Sequence, residues 1–220
     1  MTDRMGKRVV LVEAQRPIEV WDKPIGPPAA SESLLRVQLA GICSTDIHLW
    51  RGEVPLSGPV VLGHEGGGTV EELGGGVHTD YAGAPLHPGD RVYWLAVRSC
   101  NRCYECTVRN DPTQCADLLK DLFRDATEPP CACYSEFASL PAGMPFYRIP
   151  EDTPSEAVIA FGCAMPTMLQ GLERIGGIAV NQTVVIQGAG PVGLAATLLA
   201  RVSGARDGLH PELLRWSRAI

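Results

Sequence analysis

Residues Thr183 to Gly204 read TVVIQGAGPVGLAATLLARVSG, and this stretch decides between two very different folds. It is mostly apolar over the length of a bilayer crossing. Gln187, Gly188, Gly190 and Pro191 nevertheless break it into a short β-branched run, a turn and a helix. Lipid tolerates no such exposed break in backbone hydrogen bonding, so the stretch reads as a βα unit in water. Thr183 to Gln187 is expected to be a strand. The turn after it opens a helix from Pro191 to about Ser203, with Gly204 closing it.

The turn itself, Gly188-Ala-Gly190-Pro-Val-Gly193, is a G-x-G-x-x-G. In a chain with 24 glycines the pattern alone is weak. Its place after a β-branched strand and before a helix is what makes it a dinucleotide fingerprint. Gly188 makes the tight turn, Gly190 lets backbone approach a pyrophosphate, and Gly193 permits close helix–strand packing. The competing reading is a tight βα turn without a ligand.

Upstream the texture differs. Residues 1 to about 150 are short β-like runs such as RVVLVE, SLLRVQLAG, PVVLGHE, GTVEEL, GDRVYWLAV and YSEFASL, separated by Gly and Pro. No long amphipathic helix interrupts them, which predicts an antiparallel, barrel-like β domain. At Thr153 the pattern changes. Thr153 as N-cap, Pro154 at the first helical position and Glu156 form a capping box. A second helix is expected from near Pro166 to Gly176-Gly177. The expected layout is therefore a β domain over 1–152, linking helices and a first βα unit over 153–205, and an atypical tail over 206–220.

The formal net charge is −6, without a basic cluster. Nucleic-acid binding rests on neutralising phosphates, so it is not expected. The start, MTDRMGKR, lacks the apolar core of a signal peptide, so a reducing cytoplasm is the expected compartment. Eight cysteines in such a chain point to metal or catalysis before disulfides. Cys100, Cys103, Cys106 and Cys115, spaced C-x2-C-x2-C-x8-C, suit a closed tetrahedral zinc site. The spacing is not that of a zinc ribbon or a Cys2His2 finger. Cys131 and Cys133 read as ordinary loop thiols, and His78 and His87 as solvated turn residues. His64 lies in VVLGHEGGG, a side chain held at a strand end before three glycines.

Taken in order, Cys43-Ser-Thr-Asp-Ile-His48, Gly63-His64-Glu65-Gly66, the four-cysteine loop, Gly89-Asp-Arg-Val92, Cys163 and GAGPVG resemble the zinc-dependent medium-chain alcohol dehydrogenases. The resemblance covers roughly residues 8 to 205. It implies mixed β and α/β architecture: a GroES-like β-barrel domain with two zincs, then an incomplete Rossmann-type nucleotide-binding domain. It further implies that Cys43, His64 and Cys163 hold catalytic zinc, the Cys2His set known for alcohol dehydrogenases. Cys100, Cys103, Cys106 and Cys115 would hold structural zinc. Thr45 and His48 match a relay carrying the alcohol proton to solvent. Asp46 matches the carboxylate that orients His64, and Glu65 a carboxylate beside the metal. Gly188, Gly190, Pro191, Val192 and Gly193 would form the NAD or NADP site. The implied reaction passes a hydride between an alcohol or carbonyl and the nicotinamide.

The sequence departs from that pattern in three places. The Cys106–Cys115 loop is one residue longer than usual. Ser44 stands where many members carry a basic residue against the pyrophosphate. Past Gly204, ARDGLHPELLRWSRAI lacks a β-branched strand with an acidic end, so neither Asp207 nor Glu212 is assigned to a ribose. The expectation is a shortened dehydrogenase, with exposed apolar faces that favour homo-oligomers. The alternative is a non-catalytic zinc-binding remnant without a complete cofactor site. Trp50, Trp94 and Phe161 are candidate pocket walls.

Overall fold

The computed structural model describes residues 4–206. The tail positions Asp207, Pro211, Glu212 and Trp216 lie outside the described residues. The chain divides into two compact units, one ending at Ile159 and the other beginning at Ala160.

The first unit is built from antiparallel strands in two sheets. Its strands are β1 (Met5–Leu11), β2 (Glu19–Pro24), β3 (Ser33–Ala40), β4 (Val60–Val61), β5 (Glu65–Leu73), β6 (Arg91–Leu95), β7 (Phe137–Leu140) and β8 (Phe146–Arg148). The order is β2-β1-β4 in the smaller sheet and β7-β3-β5-β6-β8 in the larger. Isolated bridges Arg8–Ser135 and Val60–Asp125 lie outside these ladders. All the quoted β-like runs contribute strands. β2 and β8 were not anticipated: β2 is polar and mostly exposed, and β8 is three residues long.

The core explains why β5 is rich in glycine. Trp94 on β6 is fully buried among Leu35, Val70, Val92 and Leu140, and its indole N–H donates to the Cys131 carbonyl at 2.9 Å. Gly66 faces it across the ladder. A Cβ on Gly66 would lie 2.5 Å from the Trp94 ring, and one on Gly68 would lie 2.1 Å from the Arg36 carbonyl oxygen. A side chain at either position forces the sheet apart. Trp94 is thus a core residue and not a pocket wall. Burying such a ring removes ~150–250 Å² from water.

Three helices of this unit complete the picture of what positions the site. α1 (Ser44–Arg51) follows β3, and the single turn α2 (Tyr104–Thr107) lies in the cysteine loop. α3 (Ser155–Ile159) starts after Pro154, one residue later than expected, and Thr153 Oγ is directed to Asp152 and not to the helix. Arg91 of β6 takes over the turn before it, donating to the carbonyls of Pro150, Glu151 and Thr153 at 2.7–3.0 Å. Arg91 therefore ties β6 to the turn that leads into α3.

In the second unit α4 (Ala164–Arg174) packs against α5 (Pro191–Val202). α5 ends as read, with Ser203 as C-cap and Gly204 at φ +88°. Thr183 to Gln187 differs from expectation: among the described residues it joins no ladder. A strand exists only with a neighbour, and here the chain returns beside Asn181 and Gln182 alone, through Asn181 N–H to Gly204 O and Arg206 N–H to Gln182 O. Val185 is 86% exposed as a result. No described helix is long and apolar enough to cross a membrane.

Candidate functional site

The end of β3 delivers Cys43. It has extended backbone (φ −103°, ψ 158°) and serves as N-cap of α1. Asp46, at the third helical position, accepts the Cys43 backbone N–H through Oδ2 at 2.9 Å. Asp46 thereby closes the start of this helix. Its other oxygen does separate work: Oδ1 accepts the Gly63 N–H at 3.3 Å and lies 3.8 Å from His64 Nδ1. Burial pushes the Asp46 carboxyl up, but the His64 ring, the Cys43 N–H and the Tyr134 hydroxyl outweigh it. The carboxyl is held below the usual carboxylate range.

His64 and Glu65 are carried in from the other side by the start of β5. Gly63 precedes them at φ +89°, where a Cβ would meet the Tyr134 ring at 2.4 Å and Cys133 Sγ at 2.8 Å. Only glycine fits that turn. Asp46, His64 and Glu65 are all buried. The Glu65 carboxylate sits against Gly41, where a Cβ would lie 2.1 Å from Oε2. Within the first unit, Cys43, His64 and Glu65 each present a ligand atom, and these lie within 4.8 Å of one another. A thiol, an imidazole and a carboxylate are donors that zinc accepts. Thr45 Oγ is 3.7 Å from Cys43 Sγ.

His48 lies on the exposed side of α1, where its Nδ1 engages the Glu53 carboxylate. Cys163 belongs to the second unit as N-cap of α4, its carbonyl accepting the Thr167 hydroxyl at 2.8 Å. Trp50 is half-exposed, with its N–H on the Arg16 carbonyl. Cys131 and Cys133 are thiols of an irregular segment, as read, but that segment is buried in the core. Burial pushes Cys131 up to about 12 and raises Cys133 too. His78 and His87 are exposed, as read.

The four-cysteine loop closes on itself. Cys100, Cys103, Cys106 and Cys115 bring their sulfurs within 4.8 Å of one another, and none is in a disulfide. Asn101 turns the chain at φ +53°, α2 begins after Cys103, and a 3-10 turn (Pro112–Gln114) presents Cys115. Backbone N–H groups point at sulfur, from Cys103 to Cys100 at 3.4 Å and from Cys100 to Cys115 at 3.3 Å. The N–H groups of Arg102 and Cys103 draw Cys100 down to about 6. Desolvation and the Cys103 thiol push Cys106 up to about 12. One thiolate among four close sulfurs disfavours the next, a conflict that a divalent cation removes.

In the second unit, Gly188 turns at φ +106°, and a Cβ on Gly193 would lie 1.9 Å from the Gly188 carbonyl oxygen. Gly190 faces open space. Pro191, Val192 and Gly193 form the first turn of α5, with Gly190 as its N-cap.

Sequence reasoning missed Tyr134, which hydrogen-bonds Asp46, and Glu53, which holds His48. Tyr134 gave no signal beyond a place in a β-like run.

Residues 29–151 match the alcohol dehydrogenase GroES-like domain. The 5-exo-hydroxycamphor dehydrogenase of Pseudomonas putida is 48% identical over 202 residues, covering 91% of this chain and 55% of that protein. Among solved structures, an alcohol dehydrogenase from Thermotoga maritima superposes with a TM-score of 0.84 at 28% identity, over 98% of this chain and 61% of that one. A protein from Sinorhizobium meliloti 1021 described as a zinc-binding dehydrogenase, bound to NADP, gives 0.77 at 29% identity, over 98% and 59%. The chain spans little more than half the length of the curated relatives it matches. With the alcohol dehydrogenase GroES-like domain matched over more than half its length and a dehydrogenase 48% identical over 91% of it, the chain belongs to the zinc-dependent medium-chain alcohol dehydrogenase family.

Proposed function

We propose that this chain serves a zinc-dependent oxidoreductase that interconverts an alcohol and its carbonyl compound with NAD or NADP. The observation that carries the reading is the meeting of Cys43, His64 and Glu65 in front of a buried, ionised Asp46. When bound, zinc would supply Lewis acidity toward the substrate oxygen, and the nicotinamide the two-electron redox capacity.

The chain's own residues do the rest. Cys43, His64 and Cys163 would be the metal's protein ligands, with Glu65 alongside as a further carboxylate. Asp46 would hold the His64 ring through Nδ1 and favour one tautomer. Thr45, beside Cys43, would accept the alcohol proton. His48, exposed and paired with Glu53, would return it to solvent. Cys100, Cys103, Cys106 and Cys115 would hold a second, structural zinc. Gly188, Gly190, Pro191, Val192 and Gly193 would receive the cofactor phosphates.

One observation favours a second reading. Thr183 to Gln187 has no ladder among the described residues, and a cofactor site normally rests on a full parallel sheet. The chain would then be a zinc-binding domain that does not hold a nucleotide. Titrating the zinc-loaded chain with NADH and NADPH, following nicotinamide fluorescence, separates the two. Saturable binding, followed by alcohol-dependent reduction of NAD or NADP, supports the dehydrogenase. A folded chain with two zincs and no fluorescence change establishes the second reading. Hydroxylated camphor belongs in the alcohol screen because the Pseudomonas putida relative is named for it.

A further inference from the structure

Two separate pieces of chain must meet to form the Cys43–His64–Glu65 group. One is the segment 41–46, which leaves β3 and enters α1. The other is 63–65, which enters β5. Neither piece reaches the other through a backbone ladder at Cys43 itself. The link is Gly41 N–H to Glu65 O at 2.9 Å, together with Asp46 Oδ1 to Gly63 N–H at 3.3 Å.

A third segment stands behind both. Tyr134 is anchored by its backbone, its N–H donating to Leu62 O at 3.0 Å and its carbonyl accepting the Val9 N–H at 2.7 Å. Its ring fills the space beside Gly63 that a Cβ would need. Its hydroxyl has one proton and two acceptors in reach, the Gly41 carbonyl at 3.0 Å and Asp46 Oδ2 at 3.1 Å. Oδ2 is also the oxygen that caps Cys43. A single phenol thus touches the segment that carries Cys43, the carboxylate beside His64, and the glycine against which Glu65 rests.

We infer that Tyr134 is a positioning residue for the candidate metal site, orienting Asp46 and Gly41 so that Cys43, His64 and Glu65 converge. This inference rests on the reading of that group as a metal site. The ring does the packing and the hydroxyl does the orienting, so the two can be separated. Tyr134→Phe keeps the contact with Gly63 and removes only the shared hydrogen bond. Partners behind a metal ligand typically change metal affinity by about 10–100-fold, and Tyr134 acts one step further back through Asp46, so about 10-fold is expected.

The test uses cobalt(II) in place of zinc, titrated into the full chain under reducing conditions and followed by its visible and thiolate charge-transfer absorption. Cys43→Ala identifies which bands belong to the site at His64, and the four-cysteine loop provides the internal control for folding. The expected result is two cobalt ions in the parent chain. Tyr134→Phe should weaken only the Cys43–His64 site by about 10-fold, with an altered ligand-field spectrum there. In an Asp46→Asn background the same substitution should cost little more, because the hydroxyl acts through that carboxylate. Unchanged affinity and spectrum in Tyr134→Phe overturn the inference. Equal loss at both sites also overturns it, since it shows general destabilisation. Cobalt bound by the parent only at the four cysteines overturns the metal-site reading itself, and the inference with it.

Discussion

Gly193 lies so close to Gly188 that a Cβ on it would come within 1.9 Å of the Gly188 carbonyl oxygen. The contact is backbone against backbone, so no side chain can swing aside to relieve it. Gly193→Ala is expected to push α5 off the turn and destabilise the second unit by ~1–3 kcal/mol, the usual cost of overpacking. Limited proteolysis with cleavage sites mapped should show faster cutting between residues 160 and 206, with the β unit still protected. Equal cutting rates would show that the turn opens without cost.

Gly63 supports the other candidate site in a different way. Its φ of +89° is open to glycine, and the Tyr134 ring occupies the place of a Cβ. Gly63→Ala combines backbone strain with a steric clash, and the strain alone is worth ~1–3 kcal/mol. The melting temperature of the β unit should fall, and the metal held by His64 should be lost first. Metal analysis at increasing temperature would check the order.

Metal removal should separate the cysteines into classes. Cys131 and Cys133 are buried in the core with raised pKa values, so they should stay inert to a thiol reagent until the chain unfolds. The four loop sulfurs are expected to be protected with zinc bound and to react after treatment with a chelator. Mass mapping of alkylated peptides gives the answer. Early labelling of Cys133 in native protein would contradict the packing described here.

Acid sensitivity has an identifiable source at Asp121. Burial pushes its carboxyl up, but hydrogen bonds and charge from Arg98 and Arg124 more than reverse this, leaving it below the ordinary value. Arg98 Nη2 approaches Oδ2 at 2.8 Å, and Arg124 bonds the other oxygen. A carboxyl depressed in the folded state stabilises fully above its unfolded value near 3.8, and that share is lost as pH falls through the lower folded value. Asp121→Asn should cost about 2–3 kcal/mol at neutral pH, the scale of hydrogen bonds to charged groups. It should also flatten the acid limb of stability against pH. Urea melts at pH 7 and pH 3 measure both.

Much of this was legible from residue order. The GAGPVG turn and the ends of α5 follow from local rules, because glycine and proline dictate backbone angles at the positions where they stand. The four cysteines converge as their spacing implies, and the alternating runs become strands. What could not be read is long-range. Tyr134 meets Asp46 across 88 positions of sequence, and Arg91 meets the turn before α3 across about 60. No pattern in a single segment announces such a meeting. Thr183 to Gln187 has the composition of a strand, but pairing is supplied by neighbours, and composition carries no information about whether a neighbour is there.

The glycine run of β5 has a consequence for how a bound ion would leave. β5 is paired on both edges, to β3 and to β6, and Trp94 lies against Gly66, so Glu65, with His64 one residue before it, is mounted on an enclosed strand of the larger sheet. Freeing those ligands means opening the larger sheet. The four-cysteine loop is closed by local turns and can let go by itself. Isotope exchange of zinc should therefore run on two clocks, a fast one set by loop opening and a slow one that keeps time with the unfolding of the β unit.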